Sequence, residues 1–358
     1  MEDRSDYLRI PADRVRDTVQ RILERLDVPG DDAATVAEVL VTADLRGIES
    51  HGVSRLIRYY VEGIREGNIN PRSQPRIVRE TGAVFSMDGD NGLGHVVCKR
   101  AMERAMDLAG EFGVGIGTVG NSNHFGIAGY YSNLAAERGM IGLCLTNSRP
   151  LVLPTGSKKA MIGTNPISVA IPAGEQEPFL LDMATSGVPI GKVEVKRRRG
   201  KKVPMGWGAD SEGRITDDPE KIIDGGGLFP LGGAKETAGY KGYGLGAVVD
   251  VLCGVLSGAS VLTSVLAGAD PGASGVGHFV GAMRIDALMD PDDFASRMDG
   301  FIRELRAAPL AAGEEEVLVA GDPEWRHREE NLRLGVSLHR DVWSGICEVA
   351  EDLGIEGV

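Results

Sequence analysis

The segment Arg46-Gly-Ile-Glu-Ser-His-Gly-Val-Ser-Arg55 carries a hydroxyl at Ser50, an imidazole at His51 and a guanidinium at Arg55. An imidazole moves a proton near neutral pH, and a guanidinium grips a carboxylate at two points. These side chains suit a substrate that carries a carboxylate. Val53, Leu56, Ile57, Tyr60, Val61 and Ile64 recur at helical spacing, so a helix is expected from about Gly52 with Ser50 as its cap. The free N–H groups of a helix start would add to the pull on an anion. The plainer reading is a capped surface helix with a solvated arginine and a histidine satisfied by backbone.

A second imidazole, His124, lies in Asn121-Ser-Asn-His-Phe-Gly126, and Gly126, Ala128 and Gly129 after it permit close approach of a flat ligand. Thr146-Asn-Ser148 and Gly163-Thr-Asn-Pro166 close β-prone runs with hydroxyl and amide groups. Asp182-Met-Ala-Thr-Ser186 follows the apolar run 178–181 and sets a carboxylate at a strand end. Each is an ordinary turn signal by itself. Together they describe a polar floor for a nucleotide and a small acid. The six histidines show no paired helical spacing of the HExxH kind, so no metal site is expected.

The elements that hold these groups follow from periodicity and composition. Apolar stripes at Val15, Val19, Ile22, Leu23 and Leu26, and at Val36, Val39, Leu40 and Ala43, predict two helices before the one near Gly52. They form a helical module over 1–75 with Ser50 and His51 at its rim. From 76 to 275 short β-prone runs such as 83–87, a helix near 97–109 and frequent glycine predict a sheet domain. Glycine makes up 50 of 358 residues, about twice the usual share, so many turns need positive φ or close backbone approach. The segment 276–358 reads as a strand over 277–286 and helices near 294–305 and 341–353, packing back on the helical module.

With 52 acidic against 39 basic residues, the net charge of −13 argues against nucleic acid as a partner. The one dense basic run, 192–202, reads as a solvated hairpin. Cys98, Cys144, Cys253 and Cys347 lie far apart in apolar segments, as buried free thiols of a cytoplasmic protein would. The start of the chain has no signal-peptide core. The apolar stretch 245–269 has one charge, Asp250, but is broken by glycine. It reads as a buried helix pair or a subunit contact, not a membrane span. Gly115-Ile-Gly117-Thr-Val-Gly120 matches a dinucleotide-loop pattern, but a helix precedes it and no suitably placed acidic residue follows, so a Rossmann phosphate loop is not expected.

In order along the chain, RGIESHGVSR (46–55), NSNHFGIAGYY (121–131), TNSRPLVLPTG (146–156), GTNP (163–166), DMATS (182–186), PMGWGADSEGRITDDP (204–219), PLGG (230–233), KGYGL (241–245) and GHFVGAMRID (277–286) resemble the type 2 malate/L-lactate dehydrogenase family. That family also includes sulfolactate and ureidoglycolate dehydrogenases and cyclic-imine carboxylate reductases. The resemblance implies a mixed α/β, non-Rossmann fold that binds NAD or NADP and works as a homodimer. It also implies hydride transfer between the nicotinamide and C2 of a small 2-hydroxy or 2-oxo acid. Carried over residue by residue, it makes His51, oriented by Ser50 or Asp182, the proton donor, with His124 as the competing candidate. Arg55 would hold the substrate carboxylate and Thr164 would touch substrate. His124, Phe125, Gly126, Ser148, Asp182, Met183, Ala184 and Lys241 would line the cofactor. Arg149, Ser157 and Pro189 depart from the family pattern and leave the choice of NAD or NADP open.

Two other classes compete. A serine hydrolase would need Ser50, a histidine and Asp182, but no GxSxG elbow is present, and the adjacent Ser50 and His51 side chains are expected to diverge. A non-catalytic binding protein would have no use for the intact set Ser50, His51, Arg55, His124 and Asp182.

Overall fold

The structure is a computed structural model and describes residues 5–265 and 274–357. Strand β1 (Tyr7–Ile10) leads into helices α1 (Ala12–Arg25) and α2 (Gly30–Leu45), then a run of short turns, α3 (Glu62–Arg65), β2 (Arg76–Thr81) and β3 (Val84–Asp88). Next come α4 (Gly94–Phe112), β4 (Val114–Ser122), α5 (Ala128–Ala136), β5 (Met140–Thr146), β6 (Ile167–Ile171), β7 (Phe179–Met183) and α6 (Ile190–Arg198). The chain continues through β8 (Gly208–Ala209), β9 (Ile215–Thr216), α7 (Pro219–Ile223), β10 (Gly227–Leu228), α8 (Tyr240–Asp250) and β11 (Val276–Arg284). It finishes with α9 (Pro291–Arg306), α10 (Asp322–Leu334), β12 (Val336–His339) and α11 (Arg340–Asp352).

The first two helices form as their stripes predict. Val15, Val19, Ile22 and Leu23 of α1 are fully buried, each contributing about 1.5–3 kcal/mol through burial. They share one core with α2, Leu56, Tyr60, Val61, β12 and α11. The antiparallel ladder of β1 on β12 ties the two ends of the chain together. The segment 276–358 therefore divides. Its last strand and helix do pack back on the module, but β11 runs through the middle of the central sheet, so the boundary expected at 275/276 does not separate folding units.

That sheet has seven strands in the order β2-β3-β4-β11-β5-β6-β7. Only β3 and β4 are parallel, joined by the α4 crossover; the other neighbours are antiparallel. The sheet is mixed, not doubly wound. Gly115 and Gly117, the first glycines of the dinucleotide-like pattern, lie within β4. A Cβ on Gly115 would sit 2.0 Å from the Ala105 carbonyl oxygen of α4, and one on Gly117 would sit 2.1 Å from the Phe85 ring. These glycines permit close packing and face no phosphate.

Two expectations change. The basic run 192–202 is mostly helix α6, with a turn after Arg198, because Val193 packs into a small core with Val203 and Ile222. The stretch 245–269 forms the end of α8 and a π-turn at Val251–Val255; residues 266–269 lie outside the described residues. One side of this helix is buried through Gly246, Val249 and Cys253, while Leu245, Val248, Val251, Val255 and Leu256 are exposed in the single chain. Among the described residues no helix is long and apolar enough to cross a membrane. Cys98, Cys144 and Cys253 are buried free thiols, whereas Cys347 is only half-buried. Cys98 and Cys144, distant in sequence, face each other with 3.7 Å between sulfurs.

The strand directions place the chemistry. β4, β5 and β7 run the same way and β6 runs against them. The ends of β4, β5 and β7 and the start of β6 therefore share one edge of the sheet. His124 follows β4, Ser148 follows β5, Thr164 precedes β6, and Asp182 lies at the end of β7.

Candidate active site

No regular helix begins at Gly52. The chain forms 3₁₀ turns at Glu49–His51 and Val53–Arg55, a π-turn at Leu56–Val61, and only then α3. The cause lies in α2. The buried carboxylate of Asp44 accepts the Val53 N–H at 2.8 Å, and Gly52 passes so close that a Cβ there would lie 2.0 Å from Asp44 Oδ1. Burial pushes the Asp44 carboxyl well above its usual range, against the Val53 hydrogen bond. The expected cap at Ser50 is absent, and so is the anion-attracting start of a long helix.

Ser50 turns its hydroxyl to His51 instead, with Oγ 2.9 Å from Nδ1. The two adjacent side chains thus meet, contrary to the expected divergence, because the 3₁₀ turn folds them toward each other. The Arg55 Nε donates to the Ser50 carbonyl at 2.5 Å, which leaves its two terminal nitrogens for a ligand. Its guanidinium lies 5.2 Å from the Tyr59 ring centre.

His124 arrives from the sheet edge and stacks on His51, centroids 5.7 Å apart and planes 19° from parallel. The Tyr60 hydroxyl lies 2.6 Å from His124 Nδ1, and Tyr59 lies 5.2 Å from the same ring. Ser50, His51, Arg55 and His124 are therefore one cluster, built from the helical module and the sheet edge together. Burial, then the charge of Arg55, pushes His51 down to about 4. Burial and then His51, His95, Arg55 and His278 hold His124 well below the usual imidazole range. Both shifts favour the uncharged ring.

Asp182 does not orient His51. Its Oδ2 accepts the Gly129 N–H at 2.7 Å, while Arg46 donates to the Gly129 carbonyl at 3.3 Å. Burial pushes Asp182 up to about 6, against the Gly129 hydrogen bond and the charge of Arg46. Beside this clasp is a cleft of about 310 Å³ walled by Ile48, Leu180, Leu318, Val319 and Gly321, with Arg46, Asp182 and Glu324 at its polar side. Arg46 is 5% exposed, lies over the Trp325 ring, and its Nε has no partner among the described residues. A buried donor left over beside a carboxylate and an apolar wall fits a ligand with a polar group next to an apolar face.

Ser148 and Thr164 form a third group. Their hydroxyls are 3.3 Å apart, and the Thr164 N–H donates to the Ser148 hydroxyl at 3.0 Å. Met183 and Ala184 lie between Asp182 and Thr185, whose N–H donates to the Thr164 carbonyl at 2.8 Å, and Lys241 stands exposed in the first turn of α8. Phe125 is placed elsewhere. Its side chain is buried between Tyr131 and His278, parallel to the latter at 4.7 Å, so only its backbone can meet a ligand. The sequence reading missed Arg46 as a cleft residue and Tyr59 and Tyr60 as neighbours of His124. Tyr60 fell within an apolar stripe, and nothing local announces a partner so far along the chain.

A mixed sheet with polar groups along one edge, closed by paired imidazoles and an arginine from a helical module, defines a class of small-acid enzymes outside the Rossmann fold. The chain belongs to the malate/L-lactate dehydrogenase family, whose model matches residues 10–347. It is 45% identical over 354 residues to a malate dehydrogenase of Pyrococcus horikoshii, covering 99% of this chain and 98% of that one. It is 37% identical over 335 residues to an L-sulfolactate dehydrogenase of Methanocaldococcus jannaschii, covering 93% of this chain and 94% of that protein. The solved structure of a malate dehydrogenase from Entamoeba histolytica superposes with a TM-score of 0.94 at 32% identity, covering 98% of this chain and 99% of that one.

Proposed function

We propose that this protein is a nicotinamide-dependent 2-hydroxy acid dehydrogenase that interconverts malate, or a close analogue such as lactate or sulfolactate, with the corresponding 2-oxo acid. The observation that carries the reading is the His51–His124 stack beside Arg55 in a chain of this family. Arg55 binds the substrate carboxylate through its two terminal nitrogens, since Ser50 already holds Nε. That grip sets the face of C2 that reacts, which is chiefly an orientation effect.

A bound nicotinamide, NAD or NADP, would supply the hydride acceptor for oxidation at C2 and the hydride donor for reduction. In oxidation the hydroxyl proton leaves to an imidazole while C2 loses hydride, so the products are the 2-oxo acid, the reduced cofactor and a protonated ring. His51 is suited to this step. Its Nδ1 is engaged by Ser50, its Nε2 is left for substrate, and it is neutral before substrate binds. Asp182, Met183, Ala184, Ser148, the 124–126 backbone and Lys241 would hold the cofactor, and Thr164 would touch substrate.

The exposed apolar side of α8 supports a homodimer, and the free thiols support a cytoplasmic location. The test is to incubate purified protein with NADH or NADPH and a panel of oxaloacetate, pyruvate, sulfopyruvate and cyclic-imine carboxylates, following loss of reduced-cofactor absorbance. Oxaloacetate-dependent oxidation is expected. Turnover of imines alone would replace this reading with a reductase, and no turnover of any acid would remove it.

A further inference from the structure

Two imidazoles face one cluster, and the hydrogen bonds around them are not alike. His124 Nδ1 lies 2.6 Å from the Tyr60 hydroxyl and also takes the Gly126 N–H at 3.4 Å. A backbone N–H can only donate, so Nδ1 is an acceptor and holds no hydrogen. The Tyr60 oxygen must then donate its proton to the same lone pair. Tyr60 has little freedom to do otherwise. It is fully buried in the module core and meets the His95 ring edge-on at 4.7 Å. The π-turn at Leu56–Val61 lets it and its neighbour Tyr59 face the same ring, where a regular helix would turn successive side chains about 100° apart.

We infer that Tyr60 is a positioning residue that locks His124 as the neutral Nε2–H tautomer, so that His124 gives the substrate oxygen or the cofactor a hydrogen bond while His51 alone exchanges the proton. This rests on the dehydrogenase reading for its use in catalysis, but the tautomer itself does not. Nε2 is the nitrogen left to a ligand, and in this form it is a donor and cannot accept a proton. The groups around His124 reinforce the assignment. His51 and Arg55 from the rim, Tyr59 and Tyr60 from the π-turn, His95 from α4 and His278 from β11 include no carboxylate, and Arg55 and any protonated neighbour oppose a second proton on the ring.

The experiment is ¹⁵N NMR of the full-length protein labelled at histidine, without substrate. The His124 pair, assigned by its loss in His124→Gln, is expected to show one protonated nitrogen, Nε2, and one bare nitrogen, Nδ1, across the neutral range. A protonated Nδ1 would overturn the inference whether or not the enzyme turns over any acid. Tyr60→Phe is expected to release the tautomer, seen as averaged ¹⁵N shifts, and to lower kcat by roughly tenfold, the scale of one lost hydrogen bond. Unchanged shifts in that variant would also refute it. His124→Gln keeps an N–H donor but no exchangeable ring, so it is expected to lose activity through weaker positioning and to lose clearly less kcat than His51→Gln; a loss as large as that of His51→Gln would make His124 the proton carrier. If Tyr60→Phe fails to fold, the wild-type spectrum still decides.

Discussion

His51 and His124 stack on one another but are delivered by opposite kinds of scaffold. His51 sits in a string of 3₁₀ and π-turns whose shape depends on a single buried carboxylate, Asp44, one oxygen of which has no partner among the described residues. His124 sits on a loop pinned at its root. Asn123 donates to both the carbonyl and side-chain oxygens of Asn91 at 3.0 Å and to the Gly92 carbonyl at 2.9 Å, and Phe125 is clamped between rings on the other side. In the proposed reaction the rim holds the group that changes its protonation, and the sheet edge holds the group that does not. A site that reacts reversibly needs both, because a proton carrier has to meet a fixed partner.

His51 is the position most sensitive to substitution. His51→Ala is expected to lower kcat by about 10²- to 10⁴-fold with little change in folded stability, since a rim side chain has been removed; a loss under tenfold in steady-state kinetics would shift the proton role elsewhere. Arg55→Lys comes next. A lysine keeps the charge but loses the planar two-point grip and the bond to the Ser50 carbonyl, so KM for the 2-oxo acid should rise about tenfold or more, with a smaller change in kcat.

The smallest effect sharpens the contrast through pH. The folded-state value of His51, about 4, lies below the ordinary 6.5, so the unfolded chain binds the extra proton first. This group's contribution is intact above about 6.5 and is lost as pH falls toward about 4, with a limiting slope of about 1.4 kcal/mol per pH unit per proton. Asp182 opposes it, because its carboxyl is raised and the native state takes up that proton first. Comparing His51→Gln with wild type cancels the Asp182 effect. The urea midpoint of the variant should gain on wild type as pH is lowered through that window, and parallel curves would show that His51 is not buried enough to titrate abnormally.

Much of this was legible in the sequence. The stripes of α1 and α2, the crossover helix α4 and the motifs around His51, His124, Thr164 and Asp182 are local patterns that the fold preserves. What was not legible depends on distant partners. Tyr60 reads as one more core residue until His124, 64 positions away, comes to its hydroxyl. The break at Gly52 is set by Asp44, one helix earlier. Helix α6 hides behind its charges because a single valine anchors it. The place of β11 between β4 and β5 is a matter of topology, which local periodicity does not encode.

That placement governs how the molecule is made. β4 and β5 each hydrogen-bond to β11, and β1 pairs with the far later β12. A nascent polypeptide leaving the ribosome therefore carries a gap in its sheet until residue 284 has emerged, and β1 stays unmatched until residue 339 has followed. Pairings of such long sequence separation close slowly, and removing β12 would leave β1 without its partner strand.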